Sequence, residues 1–141
     1  MSPDDMEPED WHPVFDALLL LKNDWPNSSW SWDARVTMLA SSFPKDAAAK
    51  ARQTAARTMP YAWDQTTIAT APNGLKTIAE KTGGLRKGQL IMAGKAGPLV
   101  IVGLWWPWRG GEMITLRLGL GEYETMEPPF PQVRELFGAR V

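Results

Sequence analysis

The chain has 141 residues, 44% of them hydrophobic and 22% charged, with sixteen acids against fifteen lysines and arginines. That length and balance fit one globular domain, which buries about two-thirds of its unfolded surface. With no cysteine and one histidine, the sequence excludes a disulfide framework, thiolate metal centres, Fe–S clusters, cysteine nucleophiles and a multi-histidine metal site within one chain.

No apolar run approaches the roughly 18–20 residues of a membrane span. The longest candidate near the N-terminus, Ala17 to Leu21, follows an acidic segment, whereas a signal peptide opens on a basic one. The expectation is a cytoplasmic protein with no membrane partner. Charge is distributed unevenly. Residues 1–33 carry eight acids and one base, residues 34–117 twelve bases and four acids, and residues 118–141 four acids and two bases. Such asymmetry marks either an acidic segment folded over a basic body or a polyanion-binding surface; the nearly neutral total favours the first.

Residues 1–10 are acidic, contain two prolines and offer little to bury, so they read as a mobile arm. The first helix is expected from Trp11, with Pro13 at its first position and Val14, Phe15, Leu18 and Leu19 inward, ending at Asn23. Ser31 then reads as an N-cap, and Trp32, Val36, Leu39, Ala40 and Phe43 as the apolar stripe of a second helix that stops at Pro44. Asp46 is placed to cap a third helix, Ala47 to Thr58. Tyr61 to Ala71 is ambiguous, because Asp64 suits a cap while Thr66, Thr67, Ile68 and Thr70 are β-branched. Pro72 to Thr82 reads as a helix with Leu75, Ile78 and Ala79 inward, closed by Gly83 and Leu85.

After Gly88 the apolar period changes to two. Gln89 to Ala93, Leu99 to Trp106 and Met113 to Leu120 read as an antiparallel meander. The second of these strands is apolar on both faces, as a central strand covered on both sides requires; the third has one wet face. A short helix with Val133, Leu136 and Phe137 inward ends the chain. The expected fold class is therefore α+β, with N-terminal helices packed on a C-terminal antiparallel meander of three or more strands and a short terminal helix. Residues 11–141 make one domain, comprising a helical part over 11–82, a sheet part over 88–121 and the terminal helix over 131–138.

Several residue groups bear on chemistry. Gly88 to Ala96 superficially resembles a phosphate-binding loop, but it has five residues between the glycines, lacks a hydroxyl after Lys95 and precedes no helix; Gly94 and Gly97 read instead as hairpin glycines. Arg86 and Lys87 beside Gly83, Gly84 and Gly88 form a candidate anion-binding nest, with a helix C-cap as the competing reading. Lys50, Arg52, Gln53 and Arg57, with Lys45, Lys76, Lys81, Arg86 and Lys87, form a candidate basic surface, with a solvated helix face as the competing reading. No aromatic side chains are interleaved with them in sequence, which argues against nucleic acid. His12, Asp64, Glu80 and Glu112 are isolated acid–base candidates. Glu122, Glu124 and Glu127 match no metal-ligand loop, and Pro128 to Pro131 leads into the last helix. No catalytic residue, metal ligand or cofactor site is assigned.

Eight tryptophans are the most distinctive feature. Strand alternation sends Trp105 and Trp106 to opposite faces, and the expectation places Trp106 in the sheet core. Trp105, Trp108 and Arg109 are the candidate partner-binding residues, since tryptophan and arginine concentrate interface energy. The sequence thus points to a non-catalytic protein-interaction module, accessory or immunity-type, acting on a protein partner or on itself. The alternatives are a polyanion or nucleic-acid binder using the basic middle block, and a small carboxylate enzyme or carbohydrate binder.

Overall fold

The computed structural model describes residues 8–26, 29–97, 99–121 and 130–139. Seven residues of the expected N-terminal arm lie outside that set, as do Glu122, Glu124, Glu127 and Pro128–Pro129. Pro8 to Asp10 belong to helix α1 (Pro8–Asp24), so Pro13 sits inside the helix rather than at its first position. The other helices are α2 (Ala48–Thr58), α3 (Asn73–Lys81) and α4 (Phe130–Phe137). Six strands, β1 (Ser31–Asp33), β2 (Met38–Pro44), β3 (Tyr61–Trp63), β4 (Leu90–Ala96), β5 (Leu99–Trp108) and β6 (Met113–Gly121), form one antiparallel sheet in the order β1-β2-β6-β5-β4-β3. The fold is α+β.

The meander β4–β5–β6 stands where the period of two placed it, and its strands run further into the expected turns. Gly94 is consequently an interior strand residue and not a hairpin glycine. Its role is close approach, because a Cβ there would collide with the carbonyl oxygen of Thr58, where the end of α2 crosses β4. Gly97, with φ +58°, does serve the turn. The ambiguous stretch after Pro60 resolves into edge strand β3 and a 3-10 turn at Ile68–Thr70. Asp64 organises the link, its Oδ1 accepting from the backbone and hydroxyls of Thr66 and Thr67.

The expected second helix does not form. Ser31 to Pro44 is a β-hairpin, in which Trp32 faces Leu39 across the strands. Leu39 and Phe43 are four apart, a spacing that keeps them on one side of a helix and equally on one side of a strand. Pairing decides between the two: Leu39 lies opposite Leu118 and Phe43 opposite Ile114 in β6. Ser31 therefore caps nothing. Asp46 makes no cap bond to α2 either, since Lys45–Ala47 form a 3-10 turn and Ala47 takes the N-cap position.

The sheet separates two cores. On one face α1, α2 and α4 bring Val14, Leu18, Leu21, Ala51, Ala55, Val133 and Phe137 onto Leu39, Phe43, Met92, Ile101, Trp105 and Leu116. On the other, Leu75 and Ala79 of α3 cover Ile91, Ala93, Val102 and Leu104. Strand β5 feeds both cores, as its doubly apolar sequence required. The second core is smaller, and α3 reaches over only part of its face. Among the described residues, no helix covers the part of β2, β6 and β5 near Trp106 and Trp108.

Leu39 and Val36 test the corrected hairpin. Leu39 is 1% exposed in the first core, while Val36 is a partly buried turn residue on the opposite face. Leu39→Ala is expected to cost about 2–4 kcal/mol in denaturant titration, and Val36→Ala only about 1 kcal/mol; equal losses would restore the helical stripe. In the same turn Thr37 has φ +57°, a left-handed conformation that β-branched residues adopt only under strain. Thr37→Asn should therefore raise stability by about 0.5–1 kcal/mol.

Candidate functional site

The uncovered strip is built by alternation. Along β5, Leu104, Trp106 and Trp108 point to the α3 side; along β6, Met113, Thr115 and Arg117 do the same, and register sets Trp106 opposite Thr115 and Trp108 opposite Met113. Ser42 of β2 lies opposite Thr115 on the other flank. Trp105, pointing the other way, is 7% exposed and packs at a tilt against Phe43 with ring centroids 5.5 Å apart. Trp105 is thus a core residue and Trp106 a half-buried one at the strip's floor, the reverse of the expected assignment. Pairing a central strand with helices on the other side decided which tryptophan went inside.

Trp108 is 41% exposed. Its Nε1–H donates to Thr115 Oγ1 at 3.0 Å, and Thr115 Oγ1 lies 2.7 Å from Ser42 Oγ, so the indole is held in a fixed orientation by a short hydroxyl chain. Arg109 follows it into a turn with φ +55°, its guanidinium 5.2 Å from the Trp108 ring. Arg117 lies 4.9 Å from the ring of Trp106, within the range in which a cation is attracted to an aromatic face. The indole nitrogen of Trp106 is buried without an acceptor. Gln89, Trp106, Pro107, Trp108, Thr115 and Arg117 together line an open groove of about 390 Å³.

Asp33 on β1 is the carboxylate that pairs with Arg117 of this strip. Arg35 donates to it from Nε at 3.1 Å and Nη2 at 3.0 Å and adds its backbone N–H at 3.1 Å. These hydrogen bonds outweigh partial burial and hold the Asp33 carboxyl below its usual range; the charge of Arg117 acts in the same direction. Arg117 Nε approaches Asp33 Oδ2 only to 3.6 Å. A second groove of about 440 Å³, lined by Arg35, Val36, Met38, Ile78, Lys81 and Gly119 among others, opens beyond this ion pair. Thr115, Arg117 and Gly119 on one side of β6 join the two.

The other sequence candidates do not converge here. The amides of Gly83 and Gly84 donate to carbonyls of α3, and the amide of Arg86 donates to Gln89 Oε1 at 2.9 Å, so the helix-cap arrangement accounts for the loop around Arg86 and Lys87. The basic block is divided: α2 lies on one face of the sheet, and α3, with Lys76 and Lys81, on the other. Arg52 stacks over Trp105 at 5.7 Å, where burial lowers its pKa. His12 sits exposed beside Asp16 on α1, and among the described residues no three His, Cys, Asp or Glu side chains gather as a metal site. Nor is any helix among them long and apolar enough to cross a membrane. Sequence reasoning singled out Trp108 and Arg109 and left Thr115, Arg117 and Asp33 aside. The signal for the first two was the polar alternation of β6; Asp33 was hidden by the helical reading of its segment.

Comparison with known protein families, curated proteins and solved structures finds no match to this chain.

Two measurements follow from the geometry. Trp105→Ala is expected to destabilise by about 3–5 kcal/mol, and Trp106→Ala by clearly less; the opposite ranking in calorimetry would place the core on the wrong side of β5. Asp33 and Asp64 are both held below their ordinary value of 3.8, Asp33 chiefly by the Arg35 hydrogen bond and Asp64 chiefly by that of Thr66. On acidification the unfolded chain takes up these protons first. Their stabilising contribution is complete above the unfolded value and is lost as pH falls through the lower folded values. Denaturation midpoints measured from neutral pH down to acid should fall, and fall less steeply in Asp33→Asn.

Proposed function

We propose that this chain is a non-catalytic protein-interaction module, of accessory or immunity type, that acts by covering a protein partner with the open strip of its sheet. The observation that carries the reading is Trp108, an exposed ring held rigidly by Thr115 at the end of a buried central strand and flanked by Arg109. An exposed, pre-oriented tryptophan adds little to the stability of an isolated chain. It is the kind of side chain that anchors an interface, because it buries a large area at low entropic cost. The nearby carboxylate favours the same reading over a carboxylate enzyme, since both oxygens of Asp33 are engaged by Arg35.

One further observation favours a second reading. Arg109 beside Trp108 and Arg117 beside Trp106 place cations next to aromatic rings, the combination used to bind single-stranded nucleic acid. Binding that falls steeply with salt would identify that function.

The decisive experiment is capture of partners from the native host, with sedimentation for self-association, using wild type, Trp108→Ala and Arg109→Glu. Both variants should melt close to wild type. Trp108→Ala should weaken association about 30-fold, the equivalent of about 2 kcal/mol at an interface anchor. Undiminished association by Trp108→Ala would end this proposal.

A further inference from the structure

Arg117 stands on the open face at the end of a long ion pair. Its side chain is 21% exposed, it lies against the Trp106 ring, and its closest carboxylate oxygen is 3.6 Å away, beyond hydrogen-bonding distance. Arg35 holds both oxygens of Asp33 at 3.0–3.1 Å, closer than Arg117 comes. A guanidinium seated against a ring, with no carboxylate within hydrogen-bonding distance, keeps donors for an incoming acid. A bound carboxylate would satisfy it with paired, charge-assisted bonds. Arg109, on the far side of Trp108, makes no ion pair with any described residue. Counting Arg35 and Lys81 at the second groove, the strip carries more positive than negative charge along its length.

Resting on the interaction reading above, we propose that this strip receives an extended acidic segment of a partner protein, with Arg117 and Arg109 taking its carboxylates and Trp108 packing against an apolar side chain between them. The dimensions fit. From Met113 to Gly119 the strand covers about 20 Å, the length of an extended segment of roughly six residues, and this run of β6 joins the two grooves. The same geometry disfavours nucleic acid. A single-stranded polymer needs successive free stacking platforms, whereas Arg117 already lies on the Trp106 ring and Arg109 on one side of the Trp108 ring, so two free platforms do not follow one another here.

The test is a nuclear magnetic resonance titration of the full ¹⁵N-labelled chain with three probes. One is a synthetic peptide of Asp and Glu around a single Phe, about eight residues long to span the strip. The second is the same peptide with Asn and Gln replacing every acid, and the third is a short oligothymidylate. The acidic peptide should shift the indole N–H signals of Trp106 and Trp108 and the amides of Thr115 and Arg117. It should bind at least tenfold more tightly than the neutral peptide, a difference of about 1.4 kcal/mol. Arg117→Gln and Arg109→Gln should each weaken it by a similar factor. If a melting curve shows that Arg117→Gln does not fold, Arg117→Lys takes its place; it keeps the charge but loses the planar fork, and weaker binding is again expected. Equal binding of the neutral peptide, tighter binding of the oligonucleotide, shifts confined to other surfaces, or no shift with the acidic peptide would each overturn the proposal. Failure here is distinguishable from failure of the interaction reading. A captured partner that is lost with Trp108→Ala but retained by both glutamine variants would keep the interface and remove its acidic specificity.

Discussion

Phe43 is the side chain on which the larger core turns. Its ring meets Trp25 edge-on at 5.3 Å and Trp105 at 5.5 Å; Trp25 in turn meets Trp30 at 5.5 Å, and Trp30 meets Phe137 at 4.8 Å. These five rings run from the central strand β5 through β2 and the segment after α1 to the C-terminal helix, joining parts of the chain more than a hundred residues apart. Tilted and edge-to-face contacts at these separations each add about 0.5–1.5 kcal/mol beyond the burial of area. Trp25 also donates its Nε1–H to Ser41 Oγ at 2.9 Å, which gives the one polar atom of a buried ring its acceptor. Without Phe43 in β2, Trp25 at the end of α1 would lose the ring that ties it to Trp105.

That arrangement explains why the sheet is asymmetric. The aromatic chain and three helices fill one face, while α3 and the turn around Ile68–Ala71 serve the other over β4 and β5. What remains open is a polar strip whose tryptophans are supported from beside and beneath rather than from above. The four arginine–tryptophan pairs (Arg52 with Trp105, Arg109 with Trp108, Arg117 with Trp106, Arg134 with Trp32) are part of the same solution. Each lets a bulky ring at the margin of a core keep one face on a charged group that still reaches toward water. A functional surface thus arises where packing stops. Trp105 and Trp106 are adjacent in sequence and serve opposite ends of this design.

Much of this architecture was legible in local chemistry. The alanine-rich α2, the α3 segment with its glycine cap, and the three strands of the meander follow from patterns confined to a few neighbouring residues, where periodicity and turn preferences act directly. So did the exposure of Trp108, placed by Pro107 and the following glycines at the end of a strand. The Ser31–Pro44 hairpin and the side taken by Trp105 were not legible in that way. Leu39 and Phe43 satisfy a helix and a strand equally, and choosing between them required β6, more than seventy residues later. Alternation dictated that Trp105 and Trp106 part company, but which one is buried depended on where three helices settled. The meeting of Asp33, Arg35 and Arg117 likewise needed β1, β2 and β6 to align. Local periodicity specifies what a segment can become; pairing between distant segments, through burial that no single segment can achieve, selects what it is.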